Sequence, residues 1–168
     1  TWAKYLLSHE RCGAARVGRC KRELAFLKRL LQQRKVDGVL LAEREDWKQN
    51  VARLGVERVA WEGSVQRLVR QAEGGAGNGA EASVLKLMGT TLALAITERQ
   101  VEAAGPLALE FSQQAFELAE PEFDSVTSTL AGFYLNLRKI SIYGGSDEVQ
   151  RNIIAKTALG LCASCVTI

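Results

Sequence analysis

Apolar residues recur at helical spacing along most of the chain, and no alternating strand pattern of useful length interrupts them. The spacing predicts a first helix from about Ala3 to Lys35, with Leu6, Leu7, Val17, Leu24, Phe26, Leu27, Leu30 and Leu31 as its apolar stripe. Gly13 and Gly18 fall inside it. Each costs a helix about 1 kcal/mol relative to alanine, so their presence points to the close approach of a neighbouring helix. "VDGVL" then breaks the pattern. A second helix begins near Asp46, and its residues Trp47, Val51, Leu54, Trp61, Val65 and Leu68 form a heptad-like seam of the kind helix bundles use. "EGGAGNGA", Glu73 to Ala80, ends it in a glycine-rich loop.

A third helix is expected from about Glu81 to Ala104, closed by Gly105 and Pro106 as stop signals. Residues Leu107 to Phe123 are helical in propensity but interrupted by Pro121. A fourth helix follows from about Asp124 to Ile140 and a fifth from about Ser146 to Leu159, before Gly160. The fold class is therefore all-α, an up-and-down four-helix bundle with an extra C-terminal helix, in one domain covering 1–168.

Composition adds limits. At 168 residues with 47% hydrophobic and 24% charged positions, the chain can bury one sizeable core. No apolar run approaches the roughly 20 residues that cross a bilayer, and the N-terminal residues lack the charged-then-apolar order of a secretory signal. A cytoplasmic protein without a membrane partner is expected. The chain starts at Thr1 rather than methionine, which suggests processing or a piece of something longer. Cys162 and Cys165 form a C-x-x-C, but the single histidine, His9, lies at the far end of the chain. Together with Cys12 and Cys20 they read as thiols in a reducing compartment, with no metal.

The net charge of +3 is unevenly spread: ten basic residues lie between Thr1 and Lys35, opposed only by Glu10 and Glu23. That stripe fits a solvated helix face, a site for an anionic ligand or a nucleic-acid footprint. The last is disfavoured, because the basic residues surround the helix and no compact helix-turn-helix unit accompanies them. The glycine-rich loop is not a phosphate loop either, since its lysine and hydroxyl are missing.

The segment "IYGGSDEVQRNIIAKTALGL", Ile142 to Leu161, carries more information. Gly144 and Gly145 relieve the φ restriction at a corner. Ser146 or Asp147 can cap the helix that follows, and the carboxylates Asp147 and Glu148 suit its positive end. Structure alone accounts for all of this, yet glycines before a helix N-terminus also let backbone approach a bound phosphate or ring.

The same segment closely resembles the C-terminal signature of the acyl-CoA dehydrogenase family, in which a tyrosine and a glycine precede threonine or serine and, three residues on, isoleucine or valine and Gln-Arg. "LLSHERCGAARVGRCKRELAFLK" resembles the first helix of that family's C-terminal domain, "GAEASVLKLMGTTLALAITERQVEAAG" its third, and "YLNLRKISIYGG" the approach to the signature. Among members, the chain looks most similar to bacterial ones such as the large subunit of pimeloyl-CoA dehydrogenase.

The resemblance implies the C-terminal bundle of a flavoenzyme whose N-terminal helical and middle β-barrel domains lie outside this chain. It further implies FAD as cofactor, an acyl-CoA substrate undergoing α,β-dehydrogenation in fatty acid metabolism, and an electron-transfer flavoprotein as acceptor. Homo- or hetero-oligomers would form through the bundle, and the isolated domain would bind FAD poorly and be inactive. Carried over residue by residue, Ser146 and Glu148 would contact FAD, with Tyr143, Gly144 and Gly145 shaping the corner.

Two departures qualify the expectation. Many members place the catalytic glutamate between the tyrosine and glycine of the signature, where this chain has Gly144. Others carry it in a Glu-Arg pair on the first helix, which corresponds to Glu10 and Arg11 here. Glu10 is thus either the general base, with Arg11 ordering the substrate, or a surface residue pairing with basic neighbours. In addition, "QQRKVDGVLLAERED" and "LEFSQQAFELAEPEFD" lack the stretches by which many members reach a neighbouring subunit's FAD. Those contacts are then built differently or supplied by a partner. A family-derived, non-catalytic scaffold subunit of a heteromeric dehydrogenase remains the alternative.

Overall fold

The computed structural model of the chain describes residues 17–73, 79–110 and 127–161. Among these residues the fold is all-α apart from one minimal hairpin. The helices are α1 (Val17–Gln33), α2 (Glu45–Glu73), α3 (Gly79–Ala104), α4 (Leu130–Leu137) and α5 (Asp147–Thr157), with 3-10 turns at Leu41–Glu43, Gly105–Leu109 and Arg138–Ser141. The start of the expected first helix, the glycine-rich loop from 74 to 78, the segment 111–126 and Cys162 and Cys165 lie outside the described residues. Two compact units divide the chain, one of residues 18–57 and 92–138, the other of residues 1–17, 58–91 and 139–168.

In the first unit, α1 buries Cys20, Leu24, Leu27, Leu30 and Leu31, a stripe along one face. Leu54 of α2, Ile96 and Ala103 of α3, and Leu130 and Leu137 of α4 are buried as well. "VDGVL" ends α1 in a way the hydrophobic pattern did not foresee. Strands β1 (Lys35–Val36) and β2 (Val39–Leu40) pair antiparallel around Asp37 and Gly38, whose φ values are 52° and 80°. Positive φ at both central residues makes this the turn type that Asp-Gly favours in two-residue hairpins. Two residues per strand are too few for alternation to register.

A polar contact joins α3 to α1 in this unit. Gln100 is fully buried, and its Nε2 donates to the Glu23 backbone carbonyl at 2.8 Å and to the Glu23 carboxylate at 3.0 Å. Arg19 pairs with the same carboxylate at 3.9 Å, while its guanidinium lies 4.6 Å from the Phe133 ring centroid. One side chain from α3 and one from α4 thereby fix the start of α1. Gly18 has no described atom within 4 Å of where a Cβ would stand, so the close approach expected there is not found, and Gly13 lies outside the described residues.

In the second unit, the close helix approach occurs instead at Gly89 of α3. A Cβ there would fall 2.5 Å from Cζ2 of Trp61 on α2. Trp61 is buried and its indole N–H donates to the Leu85 carbonyl at 3.0 Å, so the ring spans one turn of α3 between Leu85 and Gly89. Trp61 and Leu68 confirm the seam read from the sequence, and Leu54 continues it in the first unit.

The run Ala80–Leu109 is long and apolar enough to cross a membrane by length and composition, which corrects the expectation from sequence. The reason is that Lys86 is the only charge between Ala82 and Thr97. Yet α3 also buries Ser83, Thr90, Thr97 and Gln100. The Thr97 hydroxyl donates back to the Ala93 and Leu94 carbonyls at 3.1 and 3.0 Å. Less than half of its most apolar window is buried and Val84 and Met88 are exposed, so α3 buries one face and shows another.

Alanine at Gly89 separates propensity from space. Helix propensity alone favours Gly89→Ala by about 1 kcal/mol, whereas the indole must be displaced and its hydrogen bond weakened. We expect a net loss of about 1–3 kcal/mol, read as a lower midpoint in chemical denaturation.

Candidate functional site

The corner between the 3-10 turn Arg138–Ser141 and α5 is built from short-range hydrogen bonds. Lys139's carbonyl accepts from the backbone N–H groups of Ile142 and Tyr143 at 3.0 and 3.1 Å, which closes the turn. The chain then reverses through two consecutive left-handed residues, Gly144 at φ 72° and Gly145 at φ 90°, a conformation that side chains disfavour. Ser146 takes extended dihedrals and caps α5, its side-chain oxygen accepting from the Val149 N–H at 3.4 Å. Of the two capping candidates, Ser146 therefore serves.

Gln150 holds the reversal from inside. It is buried, and its side-chain amide donates to the carbonyls of Gly144 at 3.2 Å and Gly145 at 3.3 Å. Its Nε2 lies 2.5 Å from the position a Cβ on Gly145 would take, so a side chain there would force the Gln150 amide to shift, besides straining the left-handed backbone. Gly144 differs: among the described residues nothing lies within 4 Å of its Cβ position.

Asp147 turns to α3, where Lys86 Nζ lies 2.6 Å from its Oδ1. The same ammonium donates to the Ser141 carbonyl at 3.4 Å. The Lys86 and Asp147 side chains are only 12% and 19% exposed, so this is a largely desolvated pair. Glu148 stays at the surface. Hydrogen bonds from its own backbone N–H and from the Ser146 hydroxyl hold its carboxyl below the usual glutamate value, with help from the positive charges of Arg151 and Lys86.

Tyr143, Gly144, Gly145, Ser146 and Glu148, all expected from the sequence, thus meet at one corner. Glu10 and Arg11 lie outside the described residues. Sequence reasoning missed Lys86, Asp147 as its partner, and Gln150 as the support. Lys86 had a legible signal, a lone charge inside an apolar helical run.

Chemically the corner is an acceptor surface. The N-terminus of α5 is capped by its own serine and carries two carboxylates, which disfavours a phosphate there. An ionised Glu148 accepts hydrogen bonds, the bare Gly144 backbone leaves room, and the exposed side chains of Ile142, Tyr143 and Val149 add apolar surface beside it. That combination suits a ligand with a flat apolar face and hydroxyl or amino donors.

Residues 1–159 match the family model described as "Acyl-CoA dehydrogenase, C-terminal domain". No curated protein matches the chain significantly in sequence. Among solved structures, an acyl-CoA dehydrogenase from Geobacillus kaustophilus is 20% identical with a TM-score of 0.76, over 95% of this chain and 38% of its own. The ChsE4-ChsE5 complex from Mycobacterium tuberculosis is 25% identical with a TM-score of 0.72, over 95% of this chain and 40% of that one. A glutaryl-CoA dehydrogenase from Mycobacterium smegmatis in complex with FADH2 is 19% identical with a TM-score of 0.71, over 94% and 37%. The chain therefore spans well under half the length of these relatives.

The two glycines should respond unequally to alanine. Gly144→Ala pays only its left-handed φ, about 1–2 kcal/mol, while Gly145→Ala also expels Gln150 and should cost about 2–4 kcal/mol. Equal losses in denaturant unfolding would contradict the Gln150 support. For Glu148, the lowered carboxyl stabilises the fold above its ordinary value of 4.5, and the contribution is lost as pH falls through the folded value. The stability deficit of Glu148→Gln, measured near neutral pH, should therefore shrink as the pH is taken below 4.5.

Proposed function

The chain belongs to the acyl-CoA dehydrogenase family through its C-terminal domain, and from that premise we propose that it serves a flavin-dependent acyl-CoA dehydrogenase as the helical part of the FAD and active-site region. The observation that carries the reading is the corner itself: two left-handed glycines backed by Gln150, beside an ionised Glu148 and exposed apolar side chains. These residues fit a flavin nucleotide, whose ring is flat and whose hydroxyl and amino groups donate hydrogen bonds. Tyr143, Gly144 and Gly145 shape the surface, and Ser146 and Glu148 supply its polar contacts.

Bound FAD would supply the hydride acceptor for α,β-dehydrogenation of an acyl-CoA thioester. The chain's own contribution to proton transfer falls to Glu10, since Gly144 carries no side chain. Burial near a thioester would raise the Glu10 carboxyl towards a working base, and Arg11 would order the substrate. The relatives' greater length supports a flavin site completed by helical and β-barrel segments outside residues 1–168, in the same polypeptide or in a partner. The isolated chain would then bind FAD weakly and turn nothing over. An electron-transfer flavoprotein as acceptor, a cytoplasmic setting without membrane or nucleic acid, oligomerisation through the helices, and a substrate like that of the pimeloyl-CoA enzymes complete the proposal.

A second reading, a non-catalytic scaffold subunit, is favoured by Gly144 and by the likeness to a complex of two different named chains.

Glu10→Gln in the protein that carries this chain decides between them. For an active enzyme the variant should retain the flavin's visible absorption and lose about 10²–10⁴-fold in turnover. Undiminished turnover would exclude Glu10 as the base. A wild-type protein that purifies without flavin and binds none when it is added supports the scaffold.

A further inference from the structure

Lys86 stands apart from the other charges of α3. It interrupts the apolar run Ala82–Thr97, and its side chain is largely desolvated together with that of Asp147. A pair so placed persists only when its geometry and remaining hydrogen bonds are good. The contacts here meet that condition in a particular way. Ser141 is the last residue before the corner and Asp147 the first residue of α5 after it, and one ammonium holds both. Everything between the two contacts is Ile142–Ser146, the whole glycine corner.

Two adjacent glycines have more backbone freedom to lose on ordering than any other pair of residues. Gln150 ties the two glycine carbonyls from within α5, but it moves with α5 and cannot fix the corner to anything else. Lys86 belongs to a separate helix and supplies that anchor. Its charge also helps keep Glu148 ionised. We infer that Lys86, paired with Asp147, is a positioning residue that presets the glycine corner for FAD by pinning both of its ends to α3. The inference rests on the reading of the corner as a flavin contact.

The test removes the clamp without stranding a buried carboxylate. In the flavin-bearing protein, Lys86→Met combined with Asp147→Asn should leave far-UV circular dichroism unchanged. It should also speed backbone amide exchange at Ile142–Ser146 in the flavin-free form, and weaken FAD binding, measured by titration of the flavin-free protein, by about tenfold or more. Freeing even one residue's backbone corresponds to a change of that size. Lys86→Arg, which retains the charge and donors, should recover most of the affinity. Should the double variant unfold, the same two measurements on Lys86→Met, which leaves the Asp147 carboxylate at the positive end of α5, decide by the same criteria. Unchanged exchange at the corner, or wild-type FAD affinity, overturns the clamp and leaves the flavin reading intact. A wild-type protein that binds no FAD overturns both, and only that result does so.

Discussion

The structure depends on α3 carrying polar side chains among its buried positions. Buried polar groups in such a helix cost free energy unless they are hydrogen-bonded; the Gln100 Oε1 has no partner among the described residues, while other groups find one. Thr97 returns its hydroxyl to its own helix. Gln100 spends its amide on Glu23 and so orders the start of α1. Leu85 and Gly89 together seat the Trp61 indole, one by accepting its N–H and the other by having no side chain. Lys86 reaches the α5 corner. Gln100, Leu85 with Gly89, and Lys86 each position a neighbour, whereas Thr97 is satisfied within α3 itself.

That correspondence explains what was legible beforehand. The heptad seam containing Trp61, the stop at Gly105 and the serine start of α5 could be read because they are local signals with a fixed period or cap geometry. The family resemblance located the corner because its residues are contiguous in sequence. Three things were not legible for the opposite reason. The Asp37-Gly38 hairpin has strands too short to alternate, although its dipeptide is itself a turn signal. Gly18 and Gly89 are equally unusual inside helices, and only the tertiary position of Trp61 distinguishes them. Lys86 and Asp147 are 61 positions apart, a separation that no pattern of spacing can bridge.

The corner also shows how a loop built from the least restricted residues is given one shape. Its dihedrals are permitted by glycine, its interior is filled by the Gln150 amide, its exit is capped by Ser146 and its ends are tied through Lys86. Glu148, whose carboxyl also accepts from the Ser146 hydroxyl, is left at the surface as an ionised acceptor. Within the nine residues Ile142–Gln150, Gln150 serves shape alone, while Ser146 both caps α5 and stands among the proposed flavin contacts.

Gly144 and Gly145 look interchangeable in the sequence but differ in their evolutionary freedom. A side chain at Gly145 would force the Gln150 amide to shift, besides straining a left-handed backbone. A side chain at Gly144 meets open space among the described residues, and its cost is confined to its own backbone. A functional group could therefore be gained or lost at Gly144 in a single mutational step, leaving the surrounding architecture intact. The corner behaves as a socket that could take a new side chain at Gly144 without losing its form.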